Sequence, residues 1–185
     1  MGSDHVDRII RHWNRECPDL DVAAMAVVGR IRRLSTFMGW EMEKTWGDFG
    51  LNVAGFDVLS TLLRSGPPHR LSPGDLLAST MVTSGTMTHR IDQLERAGFV
   101  SRVANPEDGR SVLIALTDAG RALIEKAVAA HVRTQARLVA ALSPEERDGL
   151  VSLLRKLLIA FETPDAAEPA AARRPQRATE AEEHS

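Results

Sequence analysis

Apolar residues recur every three or four positions over most of this chain, which is the period of an amphipathic α-helix. The spacing predicts a first helix that closes at Pro18, a second over about 22–45 and a third over about 54–64. The third helix is expected to end at the Gly66-Pro67-Pro68 turn, because proline cannot continue a helix. The apolar faces of the three helices are formed by Val6, Ile9, Ile10, Trp13 and Cys17, by Val27, Val28, Ile31, Leu34 and Met38, and by Phe56, Leu59 and Leu63.

Two further helices are predicted near the C-terminus. Thr117 is placed to cap a long helix, and Ser143 with Glu146 forms a capping-box pattern with proline at the first helical position. This capping box opens a last helix that reaches Phe161. Residues 162–185 are rich in Ala, Pro, Glu and Arg, so we expect a disordered tail.

The pattern changes between residues 71 and 116. A short helix over 73–79 is followed by a Thr/Ser/Gly turn and by a second helix, which we call the reading helix. Two strands with alternating apolar residues, 99–104 and 111–116, then form a hairpin that we call the wing. Helix, turn, helix and hairpin in this order predict a winged helix-turn-helix, so the fold class is mainly α with a small β wing.

The reading helix carries Met87, Ile91 and Leu94 on one inward stripe and ends at Gly98, which suits the left-handed conformation past a last turn. Hydroxyl, imidazole and guanidinium groups elsewhere on the helix suit phosphate oxygens and base edges. The alternative is a purely structural helix, but that interpretation does not explain the hairpin that follows it. The residues of this helix predicted to contact DNA are Ser84, Thr86, Thr88, His89, Arg90 and Arg96, with Thr83 or Ser84 as its cap.

The tip of the wing, residues 105–110, concentrates Asn, Pro, Asp and Gly turn chemistry. Arg110 stands where the tip meets the second strand, and an arginine on a protruding hairpin can enter a narrow minor groove. Asp108 is two residues away and can hold that guanidinium in place. A solvated surface ion pair is the alternative interpretation of Asp108 and Arg110.

Composition is that of an ordinary soluble chain, with 185 residues, 43% of them hydrophobic and 26% charged. No apolar run approaches the ~18 residues that a membrane span needs, and one cysteine fits a reducing compartment, so we expect a cytoplasmic protein. The net charge is −2, although the acidic excess of the predicted tail accounts for this sign. DNA affinity should therefore depend on the site and on salt, without the non-specific binding of a basic arm.

Other chemistry finds little support. The six histidines show no paired ligand spacing, and no nucleophile-elbow, P-loop or GxGxxG pattern is present, so we expect no metal, no cofactor and no enzymatic activity. Cys17 precedes a proline on an apolar face, which favours a buried inert thiol over a redox sensor.

The terminal helices carry more apolar surface than a small winged domain needs. Leucines, a valine and a phenylalanine cover more than one face of the last helix, which predicts a two-fold dimer over a palindromic operator, with a self-contained monomer as the alternative. The expected organisation is an extra N-terminal helix at 1–18, dimerisation helices at 19–50 and 117–161, the DNA-binding domain at 51–116 and the tail at 162–185.

The sequence resembles the MarR family of winged-helix regulators. The matching motifs are SGTMTHRIDQLE, GFVSR, the DGRS wing tip and LTDAGR, and the resemblance covers about residues 5–161. It implies a homodimeric repressor of double-stranded DNA that, in most members, is released by a small ligand.

A narrower resemblance is to the urate-responsive (PecS-like) subgroup. That subgroup has an extra N-terminal helix with a tryptophan, an acid and two arginines, and these positions match Trp13, Asp57, Arg90 and Arg102. The resemblance implies that an anionic ligand, urate, binds near Arg102, disturbs a link between Asp57 and Arg90, and shifts the reading helix. Each residue also has a plain structural interpretation, as core packing, a surface acid, a phosphate contact or a generic wing cation.

Several alternatives remain open. A regulator of this family could sense an aromatic acid, a carboxylate such as citrate, or oxidation of Cys17. A small-ligand scavenger that uses the winged fold without DNA is a rival from another class, and it predicts that Arg110 is dispensable.

Overall fold

The computed structural model describes residues 2–80, 87–106 and 108–163. The elements in these ranges are α1 (His5–Glu16), α2 (Ala23–Gly47), α3 (Val53–Arg64), β1 (Arg70–Leu71), α4 (Pro73–Ser79), α5 (Met87–Arg96), β2 (Val100–Ala104), β3 (Val112–Leu116), α6 (Asp118–Leu138) and α7 (Pro144–Glu162).

The fold class is confirmed: the described chain is mainly helical and carries a small antiparallel sheet. The sheet has one strand more than predicted, in the order β1-β3-β2. The two residues of β1 pair with β3, where Arg70 lies opposite Ala115 and Leu71 opposite Ile114. A strand of two residues is too short to show an alternating pattern, so β1 was not predicted.

The helix ends follow the capping chemistry of the sequence. The Ser143 side chain accepts from the backbone N–H of Glu146, and the Glu146 side chain accepts in return from the backbone N–H of Ser143, as the capping-box pattern predicts. The Ser72 side chain caps α4 by accepting from the backbone N–H of Asp75. The predicted tail from residue 164 onward lies outside the described residues.

The chain divides into two compact units, residues 1–138 and 139–185. In the first unit, α3 occupies the centre of the core, with Val58, Leu59 and Leu62 fully buried. Packed around them are Leu76 of α4 and Ile124 of α6, both also fully buried. The second unit contains α7, none of whose residues is buried.

Helix α1 is attached to α2 by an ionic contact at its first turn. The Arg30 guanidinium donates to Asp4 Oδ2 from Nε at 2.9 Å and to Asp7 Oδ1 from Nη2 at 2.5 Å. A hydrogen bond from the Asp4 backbone and the contact with Arg30 both lower the pKa of Asp7. Val6, in the same turn, is buried, whereas Trp13 further along α1 is 40% exposed.

The connection from the reading helix through the wing to α6 is tight. Gly98 has φ +77°, the left-handed conformation predicted for it past the end of α5. The Phe99 carbonyl accepts from the Thr117 backbone N–H at 3.1 Å, and Thr117 Oγ1 donates to the Gly98 carbonyl at 2.7 Å. Gly120, in the first turn of α6, passes so close that a Cβ there would lie 1.9 Å from the Phe99 carbonyl oxygen.

We therefore expect Gly120→Ala to lower the free energy of unfolding by about 1–3 kcal/mol, because α6 or the wing has to move to admit the methyl group. Gly47→Ala, at the end of α2, is the matched control, since an added Cβ meets open space there. It should change stability by less than about 1 kcal/mol. Urea denaturation of both variants tests this, and equal stabilities would show that the close approach is absent.

Candidate nucleic-acid interface

The reading helix, α5, presents one apolar and one polar face. Met87, Ile91 and Leu94 are buried in the core, as predicted. Among the predicted DNA contacts, Thr88, His89 and Arg96 are exposed, and Arg90 is half-buried on the flank of the apolar stripe. The helix thus displays hydroxyl, imidazole and guanidinium groups to solvent while its opposite face is fixed against α3.

Two of the predicted DNA contacts, Ser84 and Thr86, precede α5 in the sequence. Both lie outside the described residues, as does the predicted cap at Thr83 or Ser84. Their roles remain predictions.

The tip of the wing is organised by its own backbone. The Asn105 backbone N–H donates to the Ser111 carbonyl at 3.0 Å, and the Ser111 N–H donates to the Asp108 carbonyl at 2.9 Å. The Arg110 backbone N–H donates to Asp108 Oδ1 at 3.1 Å. The observed contact between these two residues therefore runs through the backbone of Arg110, whereas the sequence led us to expect that Asp108 would hold its guanidinium. Asp108 shapes the turn, and Arg110 is exposed at its edge.

A cation on β2 connects the wing to the reading helix. Arg102 Nη2 pairs with Asp92 Oδ1 at 2.6 Å, and Nη1 contacts Glu95 Oε2. The backbone N–H of Arg102 also donates to Glu95 Oε1 at 3.2 Å. The hydrogen bond to Asp92 and the charge of Glu95 raise the pKa of Arg102 above its ordinary value. Its guanidinium is thus already occupied by two carboxylates of α5, which the sequence analysis did not foresee.

The four residues predicted to bind an anion lie in different surroundings. Trp13 lies in an apolar groove on α1 with Ile9, His12 and Glu16. Asp57 lines a cavity among α2, α3 and α6, whereas Arg90 lines a smaller one between α5 and the start of α3. Arg102 is bound to α5. Their joint action on one ligand remains a prediction.

Arg90 carries an unusual buried atom. Its Nη1 is inaccessible to solvent and has no hydrogen-bond partner within the described chain. This burial is compatible with the inward orientation predicted for the side chain, because the guanidinium lies on the protein side of the helix. Asn52, which caps α3, and Gln93 line the same cavity of about 130 Å³.

The cavity at Asp57 has a volume of about 590 Å³ and aromatic walls. Trp46 and Phe56 stack with ring centroids 5.2 Å apart, and His131 lies 4.7 Å from Phe56 and 5.8 Å from Trp46. Polar groups of Ser60, Arg64 and Gln135 also line it. This cavity was not predicted from the sequence, in which a histidine on the inner face of a long helix was the available signal.

The described ranges support neither a metal site nor a membrane-spanning helix. Among these residues, no three His, Cys, Asp or Glu side chains are grouped so as to hold a metal ion. None of the helices described is both long and apolar enough to cross a bilayer.

A helix-turn-helix with an exposed polar reading helix and a hairpin wing defines a winged-helix DNA-binding protein. Comparison with known proteins narrows the class, since the MarR family model matches residues 51–112. PecS of Dickeya dadantii (strain 3937), an HTH-type transcriptional regulator, is 38% identical over 152 residues, which cover 82% of this chain and 92% of PecS. The chain therefore belongs to the MarR family of DNA-binding transcriptional regulators.

Two more relatives support this assignment. YetL of Bacillus subtilis (strain 168), an HTH-type transcriptional repressor, is 33% identical over 139 residues, covering 75% of this chain and 83% of YetL. Among solved structures, BpsR of Bordetella bronchiseptica superposes with a TM-score of 0.63 at 30% identity, covering 71% of this chain and 92% of BpsR. Its DNA binding is regulated by 6-hydroxynicotinic acid. These relatives are regulators, in agreement with the expectation that the protein is not an enzyme.

The cavity generates a prediction about pH. Burial lowers the pKa of His131 below its ordinary value of 6.5, so the unfolded chain binds more protons than the folded chain as the pH falls through that value. Stability conferred by neutral His131 is thus present above about pH 6.5 and decreases below it. His131→Phe keeps an aromatic ring and should remove this part of the pH dependence.

Thermal unfolding between about pH 7.5 and 5.5 provides the test, in a range above the titration of most carboxylates. His12→Phe, which replaces an exposed histidine of α1, should retain the wild-type slope. If His131→Phe also retains the wild-type slope, protonation of His131 does not destabilise the folded state.

Proposed function

We propose that this chain is a homodimeric repressor that binds a palindromic operator and is released by a small anionic ligand, with urate as the first candidate. One observation carries the DNA-binding part: the polar face of α5 and the exposed Arg110 belong to elements that pack around the same core. The helix suits the major groove and the wing arginine suits the adjacent minor groove.

The exposed apolar surface supports the dimer. Along α2 and α7 large apolar side chains are between 40% and 86% exposed, more than isolated surface positions explain. A second copy related by a two-fold axis would cover the same surface on both chains. These side chains include Val27, Val28, Ile31 and Leu34 of α2 and Leu150, Val151, Leu153, Leu154, Leu157, Leu158, Ile159 and Phe161 of α7.

Repression is the simplest outcome of operator binding, because a bound dimer obstructs a promoter. The relative YetL is a transcriptional repressor, which favours the same sign of regulation here.

The ligand part of the proposal rests on Trp13, Asp57, Arg90 and Arg102. An anion that pairs with Arg102 competes with Asp92 and Glu95 for the same guanidinium, so its binding would loosen the wing from the reading helix. Such a ligand lowers DNA affinity only to the extent that it binds the free conformation better than the DNA-bound one.

A second candidate ligand is an aromatic carboxylic acid. The cavity walled by Trp46, Phe56 and His131 fits a planar ring, and Arg64 provides a cation at its edge. BpsR, whose DNA binding is regulated by 6-hydroxynicotinic acid, gives a chemical precedent in a structurally similar protein.

For DNA binding, we expect Arg110→Ala to raise the Kd for an operator duplex on the order of tenfold, since a groove-bound arginine contributes about 1–3 kcal/mol. Fluorescence anisotropy with labelled DNA from upstream of the protein's own gene measures this. Arg15→Ala, an exposed arginine of α1 paired with Glu16, is the control and should bind normally. Unchanged binding by Arg110→Ala would favour the ligand-scavenging alternative.

For the ligand, urate should release the protein from that duplex, and Trp13→Leu should raise the urate concentration required by on the order of tenfold while leaving DNA affinity unchanged. Trp40→Leu, which alters another exposed tryptophan, is the control. Release by 6-hydroxynicotinic acid instead, abolished when Ser60→Phe fills the cavity, would replace urate by the aromatic acid. If neither compound acts, both ligand proposals fail and DNA binding stands.

A further inference from the structure

We propose that Arg102, Asp92 and Glu95 form a clamp that positions the wing against the reading helix, and that Arg102 acts on DNA binding through these two acids without touching DNA itself. This inference deepens the proposed function and rests on it. The three residues join two elements that contact different parts of the operator.

The clamp connects backbone as well as side chains. Arg102 uses Nη2 for Asp92 and Nη1 for Glu95, and its backbone N–H donates to the same Glu95 carboxylate. Arg102 also lies opposite Ile114 in the pairing of β2 with β3. Ile114 is fully buried, so β3 is held in the core. The clamp therefore connects α5, through β2, to a strand with a fixed position.

Electrostatics gives the clamp a second role. At about 100° per residue, Asp92 lies only about 40° around α5 from the exposed Arg96, close to the face that would meet DNA. Glu95 lies one turn along from Asp92, so the loss of Arg102 would leave two uncompensated carboxylates beside this face. Phosphates repel such charges, and the repulsion persists at distances up to about 10 Å at moderate salt.

The remaining exposure of the three side chains fits a positioning role. Arg102 and Glu95 are each 36% exposed and Asp92 is 44% exposed, so the pairs are accessible to a competing anion but not fully solvated. An effector that captures Arg102 would therefore undo both effects together, by freeing the wing and by unmasking the acids.

A mutant cycle on the full-length chain tests the clamp. Arg102→Gln should weaken operator binding on the order of tenfold, whereas combining it with Asp92→Asn and Glu95→Gln should recover most of that loss, since coupled residues are non-additive. Arg102→Lys keeps the charge without the fork that spans two carboxylates, so it should be intermediate. Arg121→Gln removes an arginine from the exposed pair with Glu125 on α6 and should bind normally.

Salt dependence separates positioning from direct contact. If Arg102 acts through the acids, the triple variant recovers the wild-type slope of log K against log salt; a phosphate contact would leave that slope reduced by about one in both the single and the triple variant. Equal weakening in the single and triple variants, together with a reduced slope, overturns the proposal. Normal binding by Arg102→Gln overturns it as well.

Hydrogen exchange of the free protein distinguishes failure of the clamp from failure of the proposed function. Arg102→Gln should speed amide exchange in β2 and β3 without lowering the thermal midpoint as Gly120→Ala does. If the wild type binds no duplex, the proposed function fails, and this exchange experiment still decides whether the clamp exists. Unchanged exchange in the wing contradicts it.

Discussion

Burial of α3 is the constraint on which the other elements depend. Val58, Leu59 and Leu62 are inaccessible to solvent, and the helices that flank α3 supply the apolar side chains that enclose it. The elements that enclose α3 also carry the polar surface. In α5, Leu94 faces the core while Arg96 faces outward, and in β3 the buried Ile114 fixes the strand that pairs with β2. The polar surface of the DNA-binding domain is thus positioned by its core.

Charge plays a different part from the one usual in nucleic-acid binders. The chain has a net charge of −2, and α5 carries two acids as well as two arginines. In the structure, Asp92 and Glu95 are engaged by Arg102, which leaves Arg96 exposed on the same helix. Local pairing of the acids, more than an excess of basic residues, makes this surface compatible with DNA. We therefore expect the affinity to depend on the operator sequence, because such a surface gives little non-specific attraction.

Most of the fold was accessible from local sequence patterns. Proline, serine and glycine mark the ends of α4, α5 and α7, and alternation marks the two wing strands, because these signals act within a few residues of each other. Contacts between distant residues were less accessible. Nothing in the sequence joins Arg102 to Asp92 and Glu95 until a strand is laid against a helix, and the cavity at His131 requires three helices to meet.

The candidate site shows the same division. The exposure of His89, Arg96 and Arg110 followed from helical period and turn chemistry. The contact of Asp108 with the backbone N–H of Arg110 could not be predicted in this way, because the backbone and the guanidinium of Arg110 both fit the same sequence spacing. The four-residue anion site, taken from family resemblance, stays a prediction: Trp13, Asp57 and Arg90 line different pockets, and Arg102 is paired with two acids of α5.

Selection of binding sites from a pool of random DNA duplexes tests the central claim most directly, because the operator sequence need not be known in advance. A two-fold dimer whose reading helices enter successive major grooves should enrich an inverted repeat with half-site centres about 10 bp apart. Enrichment should be weaker with Arg110→Ala, in line with the roughly tenfold rise in Kd expected for that variant. A pool that shows no enrichment over the input, or one that converges on a single unrepeated half-site, would contradict the account of a dimeric operator-binding protein.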